Sequence, residues 1–344
     1  MIKFSFVKFL CIFVYCSLLY VRSLETEMSE FLDVDDTIVF GMGFATNSMN
    51  IPALVDEKCL ILSDSKNHSS IVLGCRLSNA VIRPFKHNDM FHLESQVRHA
   101  IFTGNPKRYG RPFKKILIVV EGIYSMEGTI ANLSEIIRIK KKYGCYVYLD
   151  EAHSIGAIGK TGRGVCEYHK VKHSDVDVLM GTFTKSFGAA GGYIAGNWKT
   201  INHLRNHSHG NCYANSMTAP VAAQALQALR LISSTRNGLE RVTKLKENTK
   251  YFRKRLVEEK FLVYGDDHSP VVPMITCEID KMIWLHRECL KRGVAIVIVA
   301  FPATPLSEGR CRFCLSSSHT KEDLDKVLEI IFELGKEVRV DYLR

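Results

Sequence analysis

The sequence predicts an α/β fold: a mostly parallel central sheet flanked by helices, followed by a smaller α+β unit. Three observations predict it. Short β-branched or apolar runs recur along most of the chain, with helical stretches between several of them, which is the alternation of a parallel sheet covered by helices. Polar and glycine residues follow successive runs, as they do where strand ends carry a ligand. The C-terminal part then changes rhythm, with a long helical stretch, three strand-like runs and a closing helix.

In order, the strand-like runs are Thr37–Phe40, Cys59–Ser63, Val81–Phe85, Ile116–Val120, Val147–Leu149, Val178–Met180 and Tyr193–Ala195. Ser69–Leu77 and Leu133–Tyr143 read as helices between them. After Ala219-Pro220, the segment from Val221 to about Glu258 reads as one long helix bridging to the second unit. That unit has strands at Val271–Cys277, Val294–Val299 and Arg312–Leu315. It closes on a helix from Lys321 to Val338, where Leu324, Val327, Leu328, Ile331 and Leu334 share one face. Thr320 is the expected N-cap, with Asp323 at N3. The expected organisation is an apolar segment over 1–23, a large domain over 24–235 and a small domain over 236–344.

Composition narrows the class. The 344 residues are 46% hydrophobic and 24% charged, which excludes a disordered chain, a collagen-like repeat and a multi-span membrane protein. Basic residues number 46 against 36 acidic, a net charge of +10. That excess suits a phosphate-bearing ligand or an anionic membrane face, and equally a plain solvated surface. The basic run Lys107, Arg108, Arg111, Lys114, Lys115 and the cluster Lys140–Lys142 lack interleaved aromatics, so no nucleic-acid partner is expected. The 11 cysteines are dispersed, and Cys311 and Cys314 fall in an apolar strand-like run. Neither a metal site nor a disulfide framework is expected, and the folded part reads as belonging to a reducing compartment. Phe4–Val21 is almost wholly apolar, with Lys3 before it, Lys8 inside it and Arg22 after it. It reads as a short membrane anchor, with a cleaved signal peptide as the alternative; Val21-Arg22-Ser23-Leu24 is a poor cleavage site.

Three groups of residues carry chemistry. In Val147-Tyr-Leu-Asp150-Glu-Ala-His153, an apolar strand runs into a carboxylate and then an imidazole. Asp150 there could hold a heteroaromatic nitrogen protonated and His153 could reach a ring substituent, or Asp150 could simply cap the turn. In Gly181-Thr182-Phe-Thr184-Lys185-Ser-Phe-Gly188, a lysine lies between hydroxyls ahead of further glycines. The hydroxyls and amides can hold a phosphate, and the lysine can form a Schiff base, unless it is merely solvent-facing. The third group is dispersed: Gly41-Met-Gly43-Phe44 after one strand, His68 after the next, Ser125 after another, and Arg310-Cys-Arg312 in the C-terminal unit, where an arginine could clamp a carboxylate.

With these residues together, the chain resembles the α-oxoamine synthases, a family of fold-type I pyridoxal-phosphate enzymes, and within it the long-chain-base branch. The resemblance runs from about Glu30 onward. It is carried by GMGFATNSMNIPALV (41–55), EGIYSMEG (121–128), YLDEAHSIGA (148–157), GTFTKSFGAAGGYIAG (181–196), FPATP (301–305) and RFCLSSSHT (312–320). It implies that 24–235 binds pyridoxal 5'-phosphate, that Lys185 holds it covalently and moves the substrate Cα proton, and that Asp150 pairs with the ring nitrogen. His153 and Ser125 would bond the ring hydroxyl, and His68 would stack on the ring and touch the substrate carboxylate. Gly43, Phe44, Thr182 and Thr184 would hold the phosphate, with Ser216 donated across a dimer interface, and Arg312 would bind the serine carboxylate.

The implied reaction is the decarboxylative condensation of L-serine with a long-chain acyl-CoA to 3-ketosphinganine. The implied setting is the endoplasmic reticulum membrane, catalytic part in the cytosol, as a heterodimer with a homologous subunit. Other α-oxoamine syntheses, or a non-catalytic subunit, are the alternative readings. Two departures stand out. Asn215 and Ala219 replace a threonine and a proline of the family pattern, and the chain looks shortened ahead of the GMGFATN segment.

Overall fold

The computed structural model describes residues 19–342, so most of the apolar segment 4–21 lies outside the described residues. Among the described residues, no helix is long and apolar enough to cross a membrane. The chain divides into two compact units. One comprises the residues up to Gly122 together with Ala131–Thr235; the other comprises Ile123–Ile130 together with the residues from Arg236 onward.

The described part of the first unit opens on a helix over residues 19–32 (α1). Leu24, Met28, Phe31 and Leu32 recur at helical spacing and are all buried. Next come β1 (Asp36–Phe40), α2 (Gly43–Ser48), α3 (Ile51–Leu54), β2 (Leu60–Asp64), α4 (Ser69–Leu77), β3 (Val81–Phe85) and α5 (Met90–Thr103). After β4 (Ile116–Glu121) follow α6 (Leu133–Tyr143), β5 (Tyr146–Asp150), α7 (Gly164–Tyr168), β6 (Val178–Thr182), β7 (Gly192–Gly196), α8 (Trp198–His207), α9 (His209–Cys212) and α10 (Ala219–Ser234).

The seven strands form one sheet in the order β1-β7-β6-β5-β4-β2-β3. Pairs from β3 through β6 are parallel, and β7 is antiparallel to both β6 and β1. The interior strands β2, β4, β5 and β6 read as near-continuous apolar runs because both faces are covered. On one face Ile38, Ile61, Val119, Tyr148, Met180 and Ile194 pack with Ile51, Ile71, Ile201 and Leu204 from the helices. Buried Glu25 of α1 ties the edge together. It accepts from the Val39 N–H at 3.1 Å and pairs with Arg205 of α8 at 3.2 Å.

The second unit continues with α11 (Arg236–Glu258), β8 (Val271–Cys277), α12 (Ile279–Lys291), β9 (Val297–Val299), β10 (Gly309–Cys314) and α13 (Lys321–Glu337). Its sheet is antiparallel, in the order β8-β10-β9. Phe252, Leu256, Met274, Leu285, Cys311, Leu328 and Ile331 form its core. Thr320 and Asp323 close a reciprocal capping box on α13: the Asp323 N–H donates to the Thr320 Oγ at 3.1 Å, and the Thr320 N–H to the Asp323 carboxylate at 2.9 Å. The insert Ile123–Ile130 closes on itself through an Ile123–Ile130 bridge. It is pinned by Asp266, whose N–H donates to the Gly128 carbonyl at 3.0 Å and whose carboxylate accepts from the Ile130 N–H at 2.6 Å. Gly128 sits at φ +65, where a Cβ would come 2.5 Å from the Val271 carbonyl oxygen, so no other residue fits that turn.

Three differences from the sequence reading have local causes. The stretch 221–258 is two helices, because Thr235 takes an extended conformation at φ −119, ψ 147 and its hydroxyl turns back to the Leu231 carbonyl at 2.7 Å. The strand expected over Val294–Val299 pairs only at Val297–Val299, since Val294 and Ile296 go into the core of the unit. Helices α5, α8 and α12 were not expected. Each carries aromatic or histidine residues that blur the apolar stripe, such as Phe91 and Phe102, both 92% exposed on α5.

Candidate active site

The strand registers bring the site to one sheet edge. Glu121 pairs with Asp150, Asp150 with Met180, Thr182 with Gly192, and Gly192 with Phe40. The carboxyl ends of β1, β4, β5 and β6 and the start of β7 therefore lie side by side.

Asp150 closes β5 and is buried. Its Oδ2 accepts from the Asn47 Nδ2 at 2.7 Å and its Oδ1 from the Ala152 N–H at 2.8 Å. Burial raises the carboxyl pKa, and the Asn47 and Ala152 bonds, the Lys185 charge and His68 oppose that rise. His68 caps α4, its Nδ1 accepting from the Ser70 N–H at 3.2 Å. Its own N–H donates to the Glu121 carboxylate. Desolvation lowers the His68 pKa, Asp150 raises it and Lys185 lowers it again, so the imidazole favours its neutral form.

Lys185 lies exposed in the turn after β6, and its charge acts on both Asp150 and His68. The hydroxyls of Thr184 and Thr182 are bonded to each other at 3.2 Å. Gly43, at the start of α2, meets the end of β6: a Cβ there would lie 3.1 Å from the Thr182 Cγ2, a tight contact that glycine avoids. Phe44 presents an edge to His68, with centroids 6.1 Å apart and rings at 71°. His153 is half-buried in the turn three residues past Asp150. Ser216 is exposed in the loop before α10 and lines a cavity of about 390 Å³ with Gly41, Met42 and Met217. The first unit thus brings Asp150, His68 and Lys185 within electrostatic reach of one another, and sets Gly43 against the Thr182–Thr184 pair.

Ser125 and Arg312 belong to the second unit, where the Arg312 Nη1 donates to the Ser125 carbonyl at 3.2 Å. The Arg312 Nε is buried without a partner. Arg310, in the same sequence run, has another task. It is fully buried and donates to the Glu308 and Met126 carbonyls at 2.9 and 3.0 Å and to the Glu308 carboxylate at 3.0 Å.

Sequence reasoning left several residues here without a role. Asn47, Ser70 and Tyr148 are buried polar groups that surround Asp150 and His68. Glu151 is buried beside them, its carboxylate accepting from the Ser154 hydroxyl and from the Val165 N–H at 3.0 Å; burial pushes its carboxyl up to about 7. The signal available for Tyr148 was a hydroxyl in an otherwise apolar strand, two residues before the carboxylate.

Comparison with known proteins accords with this geometry. Serine palmitoyltransferase 3 of Homo sapiens is 53% identical over 326 residues, which are 94% of this chain and 59% of that protein. The chain therefore spans under two thirds of the length of that relative. A solved Sphingomonas wittichii serine palmitoyltransferase superposes with a TM-score of 0.86 at 28% identity, over 94% of this chain and 77% of that one. A serine palmitoyltransferase variant from S. paucimobilis, solved with bound PLP, gives a TM-score of 0.85 at 28% identity, over 93% of this chain and 77% of that one. The family model described as aminotransferase class I and II matches residues 12–331, and the chain, with its lysine, buried carboxylate and threonine hydroxyls along one strand-end edge, belongs to that family.

Proposed function

We propose that this chain is the cofactor-bearing subunit of a serine palmitoyltransferase, joining L-serine to palmitoyl-CoA with release of CO2 and CoA to give 3-ketosphinganine. The observation that carries the reading is an exposed Lys185 in the turn after β6 with a buried Asp150 closing the neighbouring strand β5. The donor set fits pyridoxal 5'-phosphate: an accessible amine for the aldehyde, a buried carboxylate for a pyridinium nitrogen, and the Thr182 and Thr184 hydroxyls with the Gly43 and Phe44 amides for a phosphate. When bound, pyridoxal phosphate supplies an electron sink for negative charge at the amino acid's Cα.

The chain's own groups divide the remaining work. Lys185 would hold the cofactor through its amine and, as a free amine, would take the substrate Cα proton and later return one. Asp150 would keep the ring nitrogen protonated, its carboxylate being already held by two N–H donors. His68 would cover the ring, and His153 and Ser125 would bond its hydroxyl. Arg312 holds the serine carboxylate by a charge-assisted pair. Ser216 is assigned to the phosphate shell of a neighbouring subunit. The partner would be a homologous serine palmitoyltransferase subunit, on the endoplasmic reticulum membrane, and the +10 charge suits an anionic leaflet.

The test is borohydride reduction of the chain purified with its partner, followed by peptide mapping. The pyridoxyl label should sit on Lys185 and vanish in Lys185→Ala. A label on any other lysine rejects the assignment.

A further inference from the structure

We propose that Asn47 is a positioning residue that sets Asp150 and His68 together: its amide holds the carboxylate of one and orients the Ser70 hydroxyl, which with the Ser70 N–H keeps the ring tautomer of the other. The proposal rests on the reading above that Asp150 and His68 face a pyridoxal ring.

The connections lie wholly within the first unit. Asn47 comes from α2, Ser70 from α4, and Tyr148 and Asp150 from β5. Asn47 is 1% exposed, Ser70 2%, Tyr148 0% and Asp150 4%. The Tyr148 hydroxyl donates to the Asn47 Oδ1 at 2.8 Å. The Asn47 Nδ2 donates to the Asp150 Oδ2 at 2.7 Å and to the Ser70 Oγ at 3.0 Å. Flipping the amide would set its oxygen against the carboxylate, so its orientation is forced.

The Ser70 N–H donates to the His68 Nδ1 at 3.2 Å, which makes that nitrogen an acceptor, so the Ser70 hydroxyl, 2.8 Å away, donates to it as well while its oxygen accepts from Asn47. A ring nitrogen that receives two donors carries no proton, so the neutral imidazole is protonated at Nε2. Lowering of the His68 pKa by desolvation agrees with a neutral ring. One buried amide therefore prepares two groups that a cofactor ring would meet.

The test reads the tautomer directly. The full chain, labelled with ¹⁵N-histidine and free of added cofactor, is compared with His68→Gln to assign His68. The wild type should show an Nε2-protonated ring. Asn47→Ala removes the donor that orients the Ser70 hydroxyl, and Ser70→Ala removes that hydroxyl; in both the Ser70 N–H stays on Nδ1, so the His68 Nδ1 signal should move partway toward its protonated position. Ser70→Thr keeps a hydroxyl and should restore the wild-type signal. Should Asn47→Ala not fold, Ser70→Ala and Ser70→Thr decide the matter. An Nδ1-protonated wild-type ring, or an Nδ1 signal unmoved in every folded variant, overturns the proposal.

A second arm titrates pyridoxal phosphate by absorbance. Asn47→Ala should bind about tenfold more weakly, through loss of the charge-assisted bond to Asp150. Equal binding by the variant overturns the Asp150 half of the proposal. No binding by the wild type with its partner rejects the proposed function instead, while the tautomer arm still decides the network.

Discussion

Arg312 donates from Nη1 to the main-chain carbonyl of Ser125 at 3.2 Å, joining two residues 187 positions apart in sequence. Both were singled out on sequence grounds, and both lie in the second unit because the insert Ile123–Ile130 packs with the C-terminal residues. The bond uses one arm of the guanidinium and leaves the buried Nε without a partner. The arginine is thus anchored by one nitrogen while retaining donor capacity for a planar carboxylate.

The first prediction follows from that spare capacity. Arg312→Ala should raise the apparent KM for serine by tenfold or more and leave that for acyl-CoA nearly unchanged, since one charge-assisted pair contributes about 1.5–3 kcal/mol. Arg312→Lys should recover little, because an ammonium lacks the planar fork. Steady-state kinetics of the assembled enzyme against each substrate check this. Equal losses for both substrates would mean that Arg312 only props up the Ser125 insert.

Arg310 supports a contrasting prediction about stability. Its guanidinium is fully buried and holds two carbonyls and one carboxylate. Arg310→Met fills much of the volume but strands those acceptors, and should cost about 2–4 kcal/mol. Chemical denaturation of the full chain measures it. A loss under about 1 kcal/mol would show that the Met126 and Glu308 acceptors find other donors.

Glu151 gives a pH dependence whose sign is fixed. Burial lifts its carboxyl from 4.5 to about 7, so between those values the folded chain holds a proton that the unfolded chain releases. Stability from this group is fully present below about pH 4.5 and falls as pH rises toward 7, by an amount on the order of 3 kcal/mol. Glu151→Gln keeps an acceptor for Ser154 and the Val165 N–H but does not titrate. Its advantage over the wild type in thermal midpoint should grow from pH 5 to pH 8. A constant difference across that range would refute the assignment.

The sequence reading reached the sheet because its interior strands are continuous apolar runs, and it reached the closing helix because Thr320 and Asp323 announce a cap that the structure forms. It merged α10 with α11 because nothing in a helical pattern marks a single extended threonine; Thr235 breaks the helix through backbone conformation and a back-bonded hydroxyl. At the site, Lys185 and Asp150 were legible as residue types that do chemistry at strand ends. Asn47 was legible only as part of a glycine-rich motif. Its importance comes from contacts with Tyr148 and Asp150, 101 and 103 residues away, and no local pattern encodes a pairing at that separation. Glu151 was overlooked for a related reason: its burial depends on α7 closing over it through the Val165 N–H.

The last prediction concerns Asp150 itself. Its carboxylate sits in a buried position that raises its pKa, against two N–H donors and the Lys185 charge. A cationic ring nitrogen placed there would relieve the desolvation penalty, so the ionised form should prevail once cofactor is bound. Asp150→Ala removes the group that keeps that nitrogen protonated while leaving the Lys185 amine and the Thr182–Thr184 hydroxyls in place. The variant should still attach pyridoxal phosphate, with reduced affinity, yet lose at least a hundredfold of serine-dependent Cα proton exchange, the range associated with removing one preorganised electrostatic partner. Asp150→Asn tests charge apart from shape: the side chain is nearly isosteric, but its amide cannot stabilise a pyridinium, so it should be as inactive as the alanine variant. Proton exchange followed by NMR in deuterated buffer, on protein with its partner and saturating cofactor, distinguishes the cases. Exchange near the wild-type rate in either variant would show that the ring nitrogen is not paired with Asp150.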